Sequence, residues 1–266
     1  MGQVIRASFW VSKWNREKSL HIYLPEIAEM PLSGFPVLFM HDGHNLFDPE
    51  TSAFGSTWKV KETLEAWEKT SGIGIIVVGI DCPSIHRFDQ YSPWPNADPE
   101  HLPPAFRIGR RLGGEGETYA EWIVSELKPW IQSHFPVDSS RTWMAGSSMG
   151  AVISLYTAFR FPGAIQKIGV FSPAVWFAEK ELLSFLRHHA NPEIGVWLDV
   201  GTEETSDSQN PAFPEIYLSG ARKIHEIFTG VRIRDLRYRE IPGGIHHETA
   251  WAERFPEFIR WLSTMN

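Results

Sequence analysis

Arg141-Thr142-Trp143-Met144-Ala145-Gly146-Ser147-Ser148-Met149-Gly150 is the stretch of sequence that decides the fold. A short apolar strand, Arg141 to Ala145, gives way here to a helical run from Ala151 to Arg160, with Ser148 at the centre of a Gly-x-Ser-x-Gly motif. The glycines leave room for a sharp turn and for close approach of helix and strand. The pattern predicts an elbow that presents the Ser148 hydroxyl as a nucleophile. A tight Gly-Ser turn without chemistry is the alternative.

Strands and helices alternate on both sides of this elbow. Continuous apolar runs such as 73–80 are typical of parallel strands buried on both faces. With an opening antiparallel hairpin turning at 15–18, the predicted strands are 4–11, 20–24, 36–40, 73–80, 142–145, 168–171, 194–200 and 231–239. The predicted helices are 57–69, 118–134, 151–159, 179–189, 214–228 and 249–262. This order predicts an α/β fold: an eight-stranded, mostly parallel sheet with helices on both faces, in a three-layer sandwich.

Two segments depart from the regular pattern. In the predicted strand 231–239 the apolar positions change phase, which predicts a bulge or a place at the sheet edge. The stretch 83–116, rich in Pro, Trp and Gly, is too long for a simple connection, and we interpret it as a lid or pocket wall. An ordinary surface excursion is the alternative. The length of 266 residues fits a single domain spanning 1–266.

Composition limits the classes of function. The formal charge of -7 gives no support to a nucleic-acid partner or to binding at an anionic membrane, because both need a concentrated basic face. Cys82 is the only cysteine, so an intramolecular disulfide is impossible and a buried thiol is expected. The first residues lack the apolar core of a signal peptide, and no apolar run is long enough to cross a bilayer. A cytoplasmic location is the expectation.

A serine nucleophile needs a base, and the base needs an acid to hold its tautomer. Histidines follow the eighth predicted strand at 246 and 247, and we select His246, because His247 would be the solvated shoulder of the last helix. Glu203 and Glu204 follow the seventh strand. We select Glu204, since the preceding Gly-Thr turn would bring its side chain back over the sheet. The alternatives for the acid are Asp199 and Asp207, and a helix-capping or solvated role for the glutamates is also open.

Donors are also needed for the oxyanion that forms when the serine attacks a carbonyl. The backbone N–H of Met149, directly after the nucleophile, is one expected donor. The other is expected in the loop 41–45, His-Asp-Gly-His-Asn, where Gly43 permits an unusual backbone conformation and makes the N–H of His44 the natural donor. A metal site formed by His41, Asp42 and His44 is the alternative.

These positions belong to a wider set of motifs, by which the chain resembles the "Putative esterase" family of α/β hydrolases. That family includes esterase D, ferric enterobactin esterases, feruloyl esterases and mycolyltransferases. The resemblance runs from about 36 to 262. Its motifs are Phe39-Met40-His41-Asp42-Gly43-His44-Asn45-Leu46-Phe47-Asp48, Val78-Gly79-Ile80, Arg87 with Tyr91-Ser92-Pro93, Gly146-Ser147-Ser148-Met149-Gly150, Ser172-Pro173-Ala174, Asp199-Val200-Gly201-Thr202-Glu203-Glu204 and His246-His247-Glu248-Thr249-Ala250-Trp251.

The resemblance implies an α/β-hydrolase fold and an esterase that needs no metal or organic cofactor. It implies Ser148 as nucleophile, His246 as base and an oxyanion hole near His44 and Met149. Glu204 matches the place of the acidic partner in many members, although some trilactone siderophore esterases use Ser and His only. Ala151 replaces a second glycine after the elbow, a mild departure. The chain lacks the Gly-His-Ser-Met-Gly-Gly signature of esterase D, which argues against S-formylglutathione hydrolysis. The missing signal peptide argues against a secreted feruloyl esterase or mycolyltransferase.

We therefore predict a serine carboxylic-ester hydrolase that acts through an acyl-enzyme on a small or aromatic ester. Trp94, Trp176 and Trp251 favour a flat substrate group, although core packing explains them equally well. Arg87 is expected to bind a carboxylate or polar substituent, or else to pair with Asp89. Acyl transfer on the same triad is one alternative, and a non-catalytic binding module of the same fold is the other.

Overall fold

The apolar runs of the sequence become the strands of one sheet in the computed structural model, which describes residues 2–26, 31–96 and 102–264. In those ranges the strands are β1 (Gln3–Val11), β2 (Arg16–Leu24), β3 (Phe35–His41), β4 (Ile76–Ile80), β5 (Val137–Ser147), β6 (Lys167–Phe171), β7 (Gly195–Gly201) and β8 (Leu236–Ile241). Their order across the sheet is β1-β2-β4-β3-β5-β6-β7-β8. The β1–β2 and β2–β4 pairs are antiparallel, whereas β3–β4, β3–β5, β6–β7 and β7–β8 are parallel. The predicted eight-stranded, mostly parallel sheet is confirmed.

Helices occupy the connections between the strands. Within the described ranges they are α1 (Val60–Ser71), α2 (Ser84–Tyr91), α3 (Gly116–Trp122), α4 (Lys128–His134), α5 (Met149–Arg160), α6 (Glu179–His189), α7 (Phe213–Val231) and α8 (Glu248–Leu262). A π-helical turn, Ile123–Leu127, joins α3 to α4 where a single helix is predicted. Pro129 explains it, because proline lacks the N–H that would continue the regular helical ladder.

Two of the predicted boundaries that differ from the structure have a local cause. The first hairpin turns at 12–14, not at 15–18, and Asn15 takes the left-handed conformation (φ 49°) that lets β2 begin at Arg16. Val231 ends α7, and Arg232 (φ 61°) closes that helix, so the apolar phase change marks a helix end and not a bulge. The predicted edge position of β8 is correct.

The segment 83–116 contains more regular structure than its composition indicates. Helix α2 begins it, and a 3₁₀ turn covers Pro104–Phe106. Both carboxylate oxygens of Asp89 accept from the guanidinium of Arg110, at 3.0 and 2.6 Å, and Oδ1 also accepts from the backbone N–H of Gly113 at 2.9 Å. This clamp between a buried carboxylate and a half-exposed guanidinium gives the segment a fixed internal shape. Its role as a lid stays a prediction, and its residues 97–101 lie outside the described ranges.

The chain divides into two compact units. The first comprises 1–82, 122–145 and 247–266, and the second comprises 83–121 and 146–246. In the first unit Trp251 stacks on Trp58 with ring centroids 5.5 Å apart. In the second, Trp94 packs edge-on against Tyr156 at 5.6 Å. Trp94 and Trp251 are therefore accounted for by packing, and the single-domain organisation stays a prediction.

Two expectations from composition concern the single cysteine and the apolar length of the helices. Cys82 is buried, as expected. None of the helices in the described ranges combines the length and the apolar character that a bilayer crossing requires.

Candidate active site

Ser148 occupies the sharp turn between β5 and α5. Its backbone has φ 58° and ψ −120°, a region that residues other than glycine rarely enter and that costs of order 1–3 kcal/mol. Two hydrogen bonds hold this turn: Ser148 N–H donates to Phe171 O at 3.0 Å, and Ala174 N–H donates to Ser148 O at 3.2 Å. A Cβ at Gly146 would lie 2.8 Å from the backbone of Gly150. The residues of the motif thus form the strained strand–turn–helix elbow that the sequence predicts.

Glu204 and His246 form a close pair in the same unit. Glu204 follows β7, its side chain is fully buried, and its Oε2 lies 2.5 Å from Nδ1 of His246. Its other oxygen, Oε1, accepts the backbone N–H of Gly201 at 2.8 Å and the hydroxyl of Ser172. Burial alone would raise the pKa of Glu204, but His246, Ser172 and Gly201 together hold this pKa below its usual range. The carboxylate is therefore ionised and fixed in place at neutral pH.

The alternative acids point to other partners. Asp199 accepts the indole N–H of Trp197 at 2.9 Å, and Asp207 accepts the backbone N–H of Gln209 at 3.0 Å. Glu203 is exposed. Glu204 is the carboxylate that the structure brings to the histidine.

The side chains of the two neighbouring histidines have different hydrogen-bond partners. His247 is the N-cap of α8, and its Nδ1 accepts the backbone N–H of Thr249 at 3.3 Å. His246 instead uses Nδ1 for Glu204, which leaves its Nε2 directed toward the hydroxyl of Tyr217, 3.4 Å away. Of the two histidines, His246 is the one that meets the buried carboxylate, and its role as the base stays a prediction.

The loops that carry the acid and the base touch along their backbones. A Cβ at Gly201 would lie 2.1 Å from the carbonyl oxygen of Gly244. That same carbonyl accepts the N–H of Glu203 at 2.9 Å, and the N–H of Thr202 donates to Ile241 O at 3.0 Å. Glycine is thus required at 201 because of the close approach, and this contact fixes Glu204 relative to His246.

Tyr217 and Ser172 are site residues that the sequence did not assign. The Tyr217 hydroxyl lies 2.6 Å from Oγ of Ser206, and its ring centroid lies 4.7 Å from that of His246. Burial raises the pKa of Tyr217 to about 12. Helical spacing places Phe213 and Tyr217 on one face of α7, a pattern that predicts only core packing. Ser172 stands in a motif of the family resemblance, but nothing local to that motif points to Glu204.

The predicted substrate-binding residues lie in the second unit. Trp176 packs edge-on against Phe213 with centroids 5.6 Å apart, and its ring lies parallel to that of Phe106 at 6.4 Å. The guanidinium of Arg87 lies 5.3 Å from the ring centroid of Tyr91. Asp89, the alternative partner of Arg87, is held by the guanidinium of Arg110.

His44 lies in the first unit, in a 3₁₀ turn formed by 43–45. The left-handed residue there is Asp42 (φ 56°), not Gly43, so the expectation about Gly43 has the wrong cause. A Cβ at Gly43 would lie 2.7 Å from the backbone of Gly79, and close packing is the reason for the glycine. Nδ1 of His44 lies 3.8 Å from Oδ1 of Asp81. Met149, the first residue of α5, belongs to the second unit, and a joint oxyanion role for Met149 and His44 stays a prediction.

The alternative of a metal site at 41–44 has no geometric support. Across the described ranges, His, Cys, Asp and Glu side chains form no group of three or more that could hold a metal ion.

Comparisons with known proteins agree with this architecture. The chain is 22% identical to the BES protein of Bacillus cereus, whose crystal structure superposes with a TM-score of 0.76 over 98% of this chain and 95% of that one. The siderophore hydrolase EstA of Aspergillus nidulans superposes with a TM-score of 0.72 at 18% identity, over 98% of this chain and 95% of that one. The ferri-bacillibactin esterase BesA of Bacillus subtilis (strain 168) is 24% identical over 185 residues, which cover 67% of this chain and 61% of BesA.

The structural matches establish the fold, and a family model establishes the relationship. The model described as "Putative esterase" matches residues 12–262, nearly the whole chain. The chain is therefore an α/β hydrolase that belongs to the "Putative esterase" family, whose chemistry is the hydrolysis of carboxylic esters.

Proposed function

We propose that the protein is a serine esterase that hydrolyses carboxylic esters through an acyl-enzyme, with Ser148 as nucleophile, His246 as base and Glu204 as acid. One observation carries the proposal. The buried carboxylate of Glu204 holds His246 by Nδ1 at 2.5 Å, in the same unit as the strained elbow of Ser148. This combination matches the roles that a catalytic triad requires.

The pair determines which nitrogen acts as the base. An ionised Glu204 accepts the proton on Nδ1 of His246, so the lone pair of the neutral ring is on Nε2. Nε2 takes the proton of the Ser148 hydroxyl as Oγ forms a bond to the ester carbonyl carbon. The protonated Nε2 then gives this proton to the ester oxygen as the C–O bond breaks, and the alcohol leaves. Water repeats the sequence, releases the acid and regenerates Ser148.

Charge develops on the carbonyl oxygen during both steps. The first N–H groups of a helix have no partner within the helix, and Met149 begins α5 directly after the nucleophile. We propose its N–H as one oxyanion donor, and the N–H of His44 as the second.

We further propose a small-molecule ester with an aromatic or other flat group as the substrate. Rings of the second unit follow one another in contact from Phe88 through Phe106 to Trp176, with centroids 4.8 and 6.4 Å apart. The names of BesA and EstA, an esterase and a hydrolase of siderophores, support a small-molecule ester. Arg87 is proposed to contact a polar substituent. A cytoplasmic location stays a prediction.

The test compares two adjacent serines. Ser148→Ala should lower the turnover of p-nitrophenyl acetate and butyrate by at least about 10⁴-fold, because the nucleophile is lost. Ser147→Ala removes the neighbouring hydroxyl and serves as the matched control, which should stay active. A fluorophosphonate should add once to the wild type and to Ser147→Ala, and mass spectrometry should place the adduct on Ser148. Turnover and adduct formation by folded Ser148→Ala would contradict the proposal.

A further inference from the structure

We propose that Tyr217 is a further catalytic residue, whose hydroxyl donates a hydrogen bond to the leaving oxygen of the ester as the C–O bond breaks. The proposal rests on the function proposed above, because it takes Ser148 and His246 as nucleophile and base. It adds a donor on the side of the leaving group, separate from the backbone donors that face the oxyanion.

Position is the first argument. Oη of Tyr217 lies 3.4 Å from Nε2 of His246. Nε2 serves two oxygens in turn, namely Oγ of Ser148 and the leaving oxygen. A hydroxyl that neighbours Nε2 therefore lies beside the place to which the leaving oxygen must come to collect its proton.

Rigid support is the second argument. The side chain of Tyr217 is fully buried on α7, and its ring contacts those of Phe213 and His246 at 5.8 and 4.7 Å. Oη also lies 2.6 Å from Oγ of Ser206. Since the Ser206 hydroxyl can donate this bond, the phenolic proton is available to the reaction centre. A donor held in this way needs no reorganisation during the reaction.

The protonation state of Tyr217 sets its role. Burial raises its pKa to about 12, so the phenol is neutral at any pH at which the enzyme works. Tyr217 thus keeps its proton and only donates a hydrogen bond. The proton that the leaving oxygen receives comes from Nε2 of His246, which took it from Ser148. In this acylation step the Oγ–C bond forms, the ester C–O bond breaks, and one proton passes from Ser148 through His246 to the leaving alcohol, so no further reactant is needed.

Tyr217→Phe tests the proposal with two esters that share an acyl group, ethyl butyrate and p-nitrophenyl butyrate. An alkoxide leaves only with help, whereas nitrophenolate is a weak base and leaves unaided. The kcat/KM of Tyr217→Phe should fall about 100-fold for ethyl butyrate and less than about 5-fold for p-nitrophenyl butyrate. The ratio kcat/KM reports the acylation step in which the alcohol leaves.

Tyr119→Phe is the matched control, because it removes a phenol from another fully buried tyrosine of the same unit. It should leave the ratio between the two esters unchanged. Ser206→Ala keeps Tyr217 but removes its support, and it should lower the ethyl ester rate selectively and by less. This variant carries the test if Tyr217→Phe fails to fold, as judged by thermal unfolding.

Equal losses on both esters would overturn the proposal, since a packing role acts on every substrate alike, and so would the absence of any loss. Neither of these results with Tyr217→Phe would contradict the proposed serine esterase function, provided that Ser148→Ala is inactive on both esters. If Ser148→Ala retains turnover, the serine mechanism fails and not only the role of Tyr217.

Discussion

Each unit contains a carboxylate that binds histidine just beyond a parallel strand, and the two differ in what surrounds them. Asp81 follows β4 in the first unit, where its Oδ2 lies 3.1 Å from Nε2 of His21. Its side chain is 23% exposed, whereas that of Glu204 is fully buried. The His21 ring stacks on Phe47, but the His246 ring presents Nε2 to a hydroxyl. Full burial of the carboxylate therefore distinguishes the pair that contains the proposed proton carrier from the structural tie at Asp81.

Asp81 contacts side chains from two different elements of the first unit. His21 lies on β2, His44 lies in the turn after β3, and both lie against this carboxylate. Lys18 Nζ donates to the backbone carbonyl of Asp81 at 2.9 Å. Asp81 thus links the β2 strand to the turn that carries the proposed oxyanion donor, and its effect on catalysis should be indirect.

The largest effect is expected from the histidines. His246→Ala should lower kcat/KM for p-nitrophenyl butyrate by about 10⁴-fold, because the serine loses its base. His247→Ala removes the cap of α8 and a ring contact with Phe54, and it should cost about 1 kcal/mol of stability with little loss of rate. Rates and thermal unfolding of both variants provide the measurement. A greater loss of rate in His247→Ala would mean that the base is assigned to the wrong residue.

Isosteric amides compare the two carboxylates directly. Glu204→Gln should lower kcat/KM about 10³-fold, since an amide no longer fixes the Nδ1–H tautomer of His246. Asp81→Asn keeps a similar shape and should lower it less than about 10-fold, through the turn at His44. Steady-state kinetics on one ester decides. Similar losses of kcat/KM in the two variants would mean that the Glu204–His246 pair and the Asp81–His21 pair do not differ in function. Little loss in Glu204→Gln would indicate a Ser-His dyad.

Ser172 tests a further difference between the two carboxylates, because its hydroxyl donates a hydrogen bond to Glu204. Ser172→Ala should lower kcat/KM about 10-fold, as Glu204 loses one of its hydrogen bonds. The backbone of Ser172 is left-handed (φ 47°), so Ser172→Gly removes the same hydroxyl while relieving strain. Equal losses are expected in both. Recovery in the glycine variant would assign the effect to the backbone and not to the hydrogen bond.

The smallest effect concerns stability against pH. Although burial opposes it, His21 and His44 lower the pKa of Asp81 from 3.8 to about 2. A folded pKa below the unfolded one stabilises the protein above pH 4, and this contribution is lost as pH falls from about 4 to about 2. Asp81→Asn should therefore be less stable at pH 7 by up to about 2 kcal/mol, with the difference shrinking over that window. Urea unfolding at pH 7, 4 and 3 measures it, and a constant difference would contradict the assignment.

Local patterns were sufficient for most of the fold. Buried parallel strands such as 76–80 are continuous apolar runs, and the elbow is specified by glycines within five residues of each other. The predicted strand 231–239 begins too early because Ile233 is buried without being in a strand, and burial alone cannot distinguish a helix terminus from sheet.

Chain order constrains part of the site prediction. The order Ser, acid, His puts Glu204 and His246 on consecutive loops, and these two side chains are in contact, while their catalytic roles stay a proposal. Tyr217 is different: it lies on the first turns of a helix, and only the fold brings it to His246. No spacing in the sequence encodes that contact, so side chains that support the triad from helices are found only in the structure.

The backbone contact between Gly201 and Gly244 restricts how this enzyme can diversify. Any side chain at 201 would push the two loops apart, and with them the proposed acid and base. Substitution of Gly201 is thus excluded as a route to new specificity, whether in evolution or in a laboratory library. Substitutions at the proposed substrate-binding residues Arg87 and Trp176 lie outside these two loops and leave the Gly201–Gly244 contact in place.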